Sequence, residues 1–234
     1  MLPVFLRPGA WLDAVRALLS PPAAPAPVEG IDVSGHQQPV DWARVKAAGV
    51  SFAYVKATEG VGWRDKAAQG HASGALAAGL DVGAYHYLRV RHGAQDAAEQ
   101  AFQFLRVHRE LGCTLVPALD VETQGNEGRT FAEYLAAIRA FVSVVEAELG
   151  RPPILYTYPG FWAGSHALMA ADDLARCPLW LASYNRRQPA PPDPWTTLTM
   201  WQYAAGAGVI GRVDGVKGDV DRNRLFVPLD KIRL

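Results

Sequence analysis

Cysteine is scarce in this chain: Cys113 and Cys177 are the only two among 234 residues. A disulfide scaffold needs more than one possible bridge at this length. Each cysteine precedes a strand candidate, so both fall at the same end of the fold. Two buried thiols are expected there in preference to a disulfide. A charge of one sign is also missing. The 23 basic residues balance 23 acidic ones, and no basic run occurs. Nucleic acid is therefore not an expected partner. No apolar run reaches transmembrane length, so membrane insertion is not expected. The six histidines are scattered, with no CxxC or HxxxH spacing that would hold a metal. No GxGxxG or Walker-type loop offers a phosphate cradle, and no cofactor is expected. Gly164-Ser165-His166 lacks the flanks of a nucleophile elbow, which removes the serine-hydrolase reading.

What is present is ordinary globular composition: 50% hydrophobic, 20% charged and 10% aromatic. That is ample for one barrel-sized core. Residues 1–29 stand apart. Trp11, Leu12, Val15, Leu18 and Leu19 would line one face of a short helix, for which packing on the main domain is the plainest role. The segment resembles a signal peptide only loosely, because Pro3, Arg7, Pro8, Asp13 and Arg16 break its apolar stretch. A proline-rich linker, PPAAPAPVEG, follows, and the main domain is expected over 30–234.

From Gly30 onward, short apolar runs alternate with amphipathic segments. Strands are expected over 30–34, 51–58, 82–88, 114–122, 154–158, 179–184, 197–203 and 219–226. Helices follow the first five of them. Asp41 and Thr130 are candidate N-caps, and Gly49, Gly79, Gly112 and Gly150 are candidate stops. The connections after the sixth and seventh strands are rich in proline or glycine, with no helical period. The expectation is an α/β fold, a TIM-like β/α barrel lacking its last helices, (β/α)5(β)3, with a parallel sheet.

Polar residues gather at strand ends, the face that carries the active site in such barrels. The most informative are Asp120 and Glu122, in Leu115-Val116-Pro117-Ala118-Leu119-Asp120-Val121-Glu122. Strand side chains alternate faces, so this pair shares one. Their Cα atoms should lie about 6–7 Å apart. Two ionised acids that close repel, and one of them tends to keep a proton near neutral pH. A proton donor beside a carboxylate suits glycosidic bond cleavage. The structural alternatives are a helix cap or a partner for a core arginine. Asp32 is the lone charge of its strand, with a bond to the turn at Ser34-Gly35 as its ordinary role. Asp221 shares a strand face with Asp219 and Asn223. In a closed barrel the last strand flanks the first, so Asp221 can approach Asp32. The strand-end aromatics suit stacking against sugar faces, although many must belong to the core.

The segments GIDVSGHQQPVDW, FAYVKATEG, VGAYHYL, LVPALDVE, PILYTY, LWLASY, MWQY and VDRNRLF resemble, in order, the glycoside hydrolases of family 25, lysozymes of the N-acetylmuramidase type. The resemblance spans about Gly30 to Phe226. It implies hydrolysis of the β-1,4 bond after N-acetylmuramic acid in peptidoglycan, by a monomer acting on the cell wall. The enzyme would reach the wall by secretion or through a membrane pore. Carried over by position, Glu122 would be the general acid. Asp120 would be its partner, orienting the 2-acetamido group or stabilising positive charge. Asp32 and Asp221 match the other two acids of the site, and Glu59 matches a further acid in a supporting, substrate-binding role. Tyr85, Tyr156, Tyr184, Trp201 and Gln202 would line the sugar cleft. A non-catalytic glycan-binding module on the same scaffold is the competing reading. The four intact acids speak against it. A chitinase-like barrel would carry a longer acidic run, DxxDxDxE, where this chain has only LDVE.

Overall fold

The computed structural model describes residues 27–185, 187–205 and 211–234. The expected N-terminal helix and most of the linker lie outside them. Among the described residues nine strands form one sheet: β1 (Val28–Val33), β2 (Phe52–Glu59), β3 (Trp63–Arg64), β4 (Asp81–Tyr87), β5 (Ala118–Asp120), β6 (Ile154–Thr157), β7 (Leu179–Ala182), β8 (Met200–Ala204) and β9 (Asp221–Leu225). Pairing of β1 with both β2 and β9 closes eight of them into a barrel, and β3 hangs on β2 as a short hairpin. The eight expected strands are all present. The first begins at Val28, two residues inside the expected linker.

The helices α1 (Trp42–Ala47), α2 (Ala68–Ala77), α3 (Ala94–Glu110) and α4 (Phe131–Leu149) cross between strands. Two four-residue turns, α5 (Pro159–Trp162) and α6 (His166–Met169), follow β6. Asp41 Oδ1 accepts from the Arg44 N–H at 3.1 Å to start α1. Thr130 and Glu133 form a reciprocal capping box at α4. Each anticipated stop, Gly49, Gly79, Gly112 and Gly150, has positive φ, which only glycine adopts without strain.

One strand departs from expectation. β9 runs antiparallel to both β1 and β8. An antiparallel neighbour can be reached by a loop at the same end of the barrel, whereas a parallel one requires a crossover. Asp221 therefore opens its strand instead of closing it. It still arrives at the mouth where the parallel strands end, opposite Asp32 in the register.

Alternation sorts the side chains into two layers. Outward residues such as Ile31, Val55, Leu119, Leu155 and Leu181 pack beneath the helices. Inward residues such as Phe52, Tyr54, Ile154, Trp180 and Met200 fill the barrel. The rings of β2 are wide enough to require glycine beside them. A Cβ on Gly83 would sit 2.3 Å from the Tyr54 ring, and one on Gly30 would sit 2.2 Å from Phe52. The floor is therefore solid, and open space remains only toward the mouth. Cys113 and Cys177 are both free thiols, and Cys177 is buried. Among the described residues no helix is long and apolar enough to cross a membrane, and no group of side chains could hold a metal.

Candidate active site

The inward positions nearest the mouth line a cleft of about 240 Å³. Asp32 comes from β1, Lys56 from β2, Tyr85 and Tyr87 from β4, and Asp120 and Glu122 from β5 and the residues just after it. Tyr156, Trp180, Gln202 and Asp221 complete the ring from the remaining strands. Register explains this convergence. Tyr87 pairs with Asp120, Asp120 with Tyr156, and Tyr156 with Trp180, so one layer of the barrel carries the polar ring.

A hydrogen-bonded chain fixes the Asp32 side. Trp180 Nε1 donates to Asn223 Oδ1 at 2.8 Å, and Asn223 Nδ2 donates to Asp32 Oδ2 at 2.8 Å. Gln202 Nε2 donates to the same oxygen at 2.9 Å. The hydroxyls of Tyr156 and Tyr184 donate to Gln202 Oε1 at 2.9 and 2.8 Å, which fixes how the amide is turned. Burial raises the Asp32 carboxyl to about 6, although the Asn223 and Gln202 bonds pull the other way. The ordinary alternative for Asp32, a bond to the Ser34-Gly35 turn, is not seen among the described residues. Asp65 takes the Gly35 N–H instead, at 2.8 Å.

Across the cleft, Asp120 and Glu122 line the same wall. Burial raises both carboxyls. The Glu122 charge adds to the rise at Asp120, and Lys56 opposes it at both acids. Each carboxyl thus holds its proton to higher pH than an exposed carboxyl would. Asp120 is buried, and its Oδ1 has no hydrogen-bond partner. Glu122 is only half-buried and faces the open cleft. Its backbone is held firmly: Glu122 O accepts from Asn126 Nδ2 and from the Tyr134 hydroxyl, each at 3.0 Å.

Two candidates from the sequence are not brought to the cleft. Glu59 is engaged by Lys56 Nζ at 2.7 Å and by the Arg89 guanidinium. Burial works to raise its carboxyl, but the Lys56 and Arg89 bonds and charges outweigh that and hold it low. Trp201 points outward from β8, its indole donating to Ser183 O at 2.7 Å. It is adjacent to Gln202, which points inward, and neighbours on a strand cannot share a face. Tyr184 sits at one end of the cleft, in a cavity that also touches Glu122 and Tyr156. Sequence reasoning missed Lys56, although a lone charge two residues beyond the inward Tyr54 was a usable signal. It also missed Asn223, whose alternation with Asp221 was visible.

An acid pair with raised carboxyls facing two further carboxylates, in a cleft walled by aromatic rings, is an arrangement suited to cleaving glycosidic bonds. Comparison with known proteins agrees. Residues 31–211 match the glycosyl hydrolases of family 25, and the chain belongs to that family. It is 34% identical over 215 residues to Lysozyme M1 of Streptomyces globisporus, covering 87% of this chain and 69% of that one. It is 31% identical over 211 residues to the N,O-diacetylmuramidase of a Chalaropsis species, covering 83% and 96%. The bacterial lysozyme of Streptomyces coelicolor superposes with a TM-score of 0.78 at 32% identity, over 89% of this chain and 96% of that one.

Proposed function

We propose that this protein is a muramidase that hydrolyses the β-1,4 bond between N-acetylmuramic acid and N-acetylglucosamine in the glycan strands of the bacterial cell wall. The observation that carries this reading is the convergence of Asp120 and Glu122 with Asp32 and Asp221 on one open cleft at the barrel mouth. Glu122 is the general acid, since it is the more exposed member of the pair and can pass a proton to the leaving oxygen. Asp120 holds the 2-acetamido group. Its Oδ1 makes no hydrogen bond to the described residues, and an acetamido N–H can donate to it. The acetamido oxygen can then attack the anomeric carbon in place of a protein nucleophile. Asp32 and Asp221 lie opposite the pair and stabilise the positive charge that develops on the sugar. Tyr85, Tyr156, Tyr184 and Gln202 hold the sugar rings.

Digestion of purified peptidoglycan tests the bond specificity. Mass spectrometry of the products should find muramic acid at the new reducing ends, and glucosamine ends would refute the assignment. Proton NMR of the first product should show retention at the anomeric carbon. An inverted anomer would exclude substrate assistance.

Lys56 adjusts the acid pair. Its cation lowers both carboxyls, so Lys56→Met should raise them further. Both the proton donor and the ionised partner then titrate at higher pH, and the bell-shaped profile of kcat/KM should move to higher pH as a whole. Lys56→Arg should restore its position. A profile unchanged in Lys56→Met would remove this role.

A further inference from the structure

The cleft does not end at Lys56. A second cavity, sharing Ser34, His36 and Lys56 with the first, runs on to Trp63 on β3. Trp63 is 47% exposed, unusual for so large an apolar ring. It is also not on a loose loop. The hairpin is paired to β2 through Thr58–Arg64 and Glu59–Trp63. The Gly62 N–H donates to Gln103 Oε1 at 2.8 Å, and Arg64 pairs with Glu110 at 2.6 Å. Lys56 Nζ lies over the indole, 5.2 Å from its centroid, and is itself tied to Glu59 at 2.7 Å. The ring is thus backed by a fixed cation on the barrel side and is open to solvent elsewhere.

We propose that Trp63 is a stacking platform for a further N-acetylhexosamine ring of the same glycan strand, beyond the rings held at the acids. The apolar face of a pyranose matches an indole held in this way. The polar side chains around it, His36, Gln38 and Lys66, can meet the hydroxyl and acetamido groups at the ring edge. The ion pair of Glu59 with Lys56 then has a defined purpose: it steadies the cation beneath the platform. A groove running from Trp63 past the acids to Tyr184 favours longer strands over short fragments. This inference rests on the muramidase reading.

The test uses peptide-free peptidoglycan oligosaccharides of increasing length. For wild type, kcat/KM should rise with length. Trp63→Ala should lose about tenfold on the longest oligomers, mainly through KM, and at most about twofold on the shortest cleavable one. Trp63→Phe, which keeps an aromatic face, should recover much of the loss. An equal loss at every length would place the effect at the reacting centre and overturn the proposal. A loss seen only on peptide-bearing strands would make this a stem-peptide site and overturn it too. No loss at any length would do the same. Failure of wild type to cleave any of these oligomers would instead count against the muramidase reading itself.

Discussion

Glu122→Gln is expected to lower kcat about 10²–10⁴-fold on peptidoglycan while leaving KM within a few fold. The substitution keeps size and hydrogen-bonding capacity but cannot deliver a proton to the leaving oxygen. Its fold should be preserved, because the Glu122 backbone carbonyl keeps its bonds from Asn126 and Tyr134 whatever the side chain. Reducing-end release measured against substrate concentration separates kcat from KM. A variant with wild-type kcat would assign the proton to another group, and Asp120 would be the next to examine. The measurement also decides between the enzyme and a non-catalytic glycan-binding module, since a module would show no turnover for the substitution to remove.

Asp32→Asn is expected to make the protein more stable and less active. The Asp32 carboxyl lies near 3.8 in an unfolded chain and at about 6 in the fold, chiefly through burial. Below pH 3.8 both states carry the proton, and the group does not oppose folding. As pH rises toward 6, the folded state alone keeps the proton, so stability falls through that window. Above it the folded protein holds a buried charge, at a cost of about 3 kcal/mol for about two pKa units. Asparagine never ionises, and its carbonyl can still accept from Gln202 and Asn223. Urea unfolding should therefore show the variant more stable than wild type by up to about 3 kcal/mol at pH 7, with the gap closing by pH 3.5. Activity should fall about 10²-fold or more, because the negative charge facing the sugar is lost. A gap that does not depend on pH would contradict this account of Asp32.

The acid ring also shows how the fold could be legible while part of the site was not. Helix caps, glycine stops and strand alternation are local, and Asp41, Thr130 and Gly150 act where their neighbours in sequence predict. The pairing of Asp120 with Glu122 on one face follows from the same alternation. Glu59 and Trp201 stand outside the ring of acids for different reasons. Glu59 has its partner Lys56 three residues away, but the Arg89 that completes its neutralisation arrives from beyond β4. Trp201 could have been excluded from the chain alone, since Gln202 and Trp201 cannot both face inward.

The order of strands and helices, the two layers of each strand and the shared face of Asp120 and Glu122 could be read from the chain, because these depend on short-range periodicity and on residue type. The direction of β9, the meeting of Asp32 with Asn223 and Gln202, the cation set among the acids by Lys56, and the placing of Trp63 at the end of the groove emerge only in the folded barrel. All but the Trp63 hairpin join strands far apart in the chain. They are set by barrel closure and register, which no local pattern encodes, and they govern how much a carboxyl is desolvated and therefore which proton is available for the reaction.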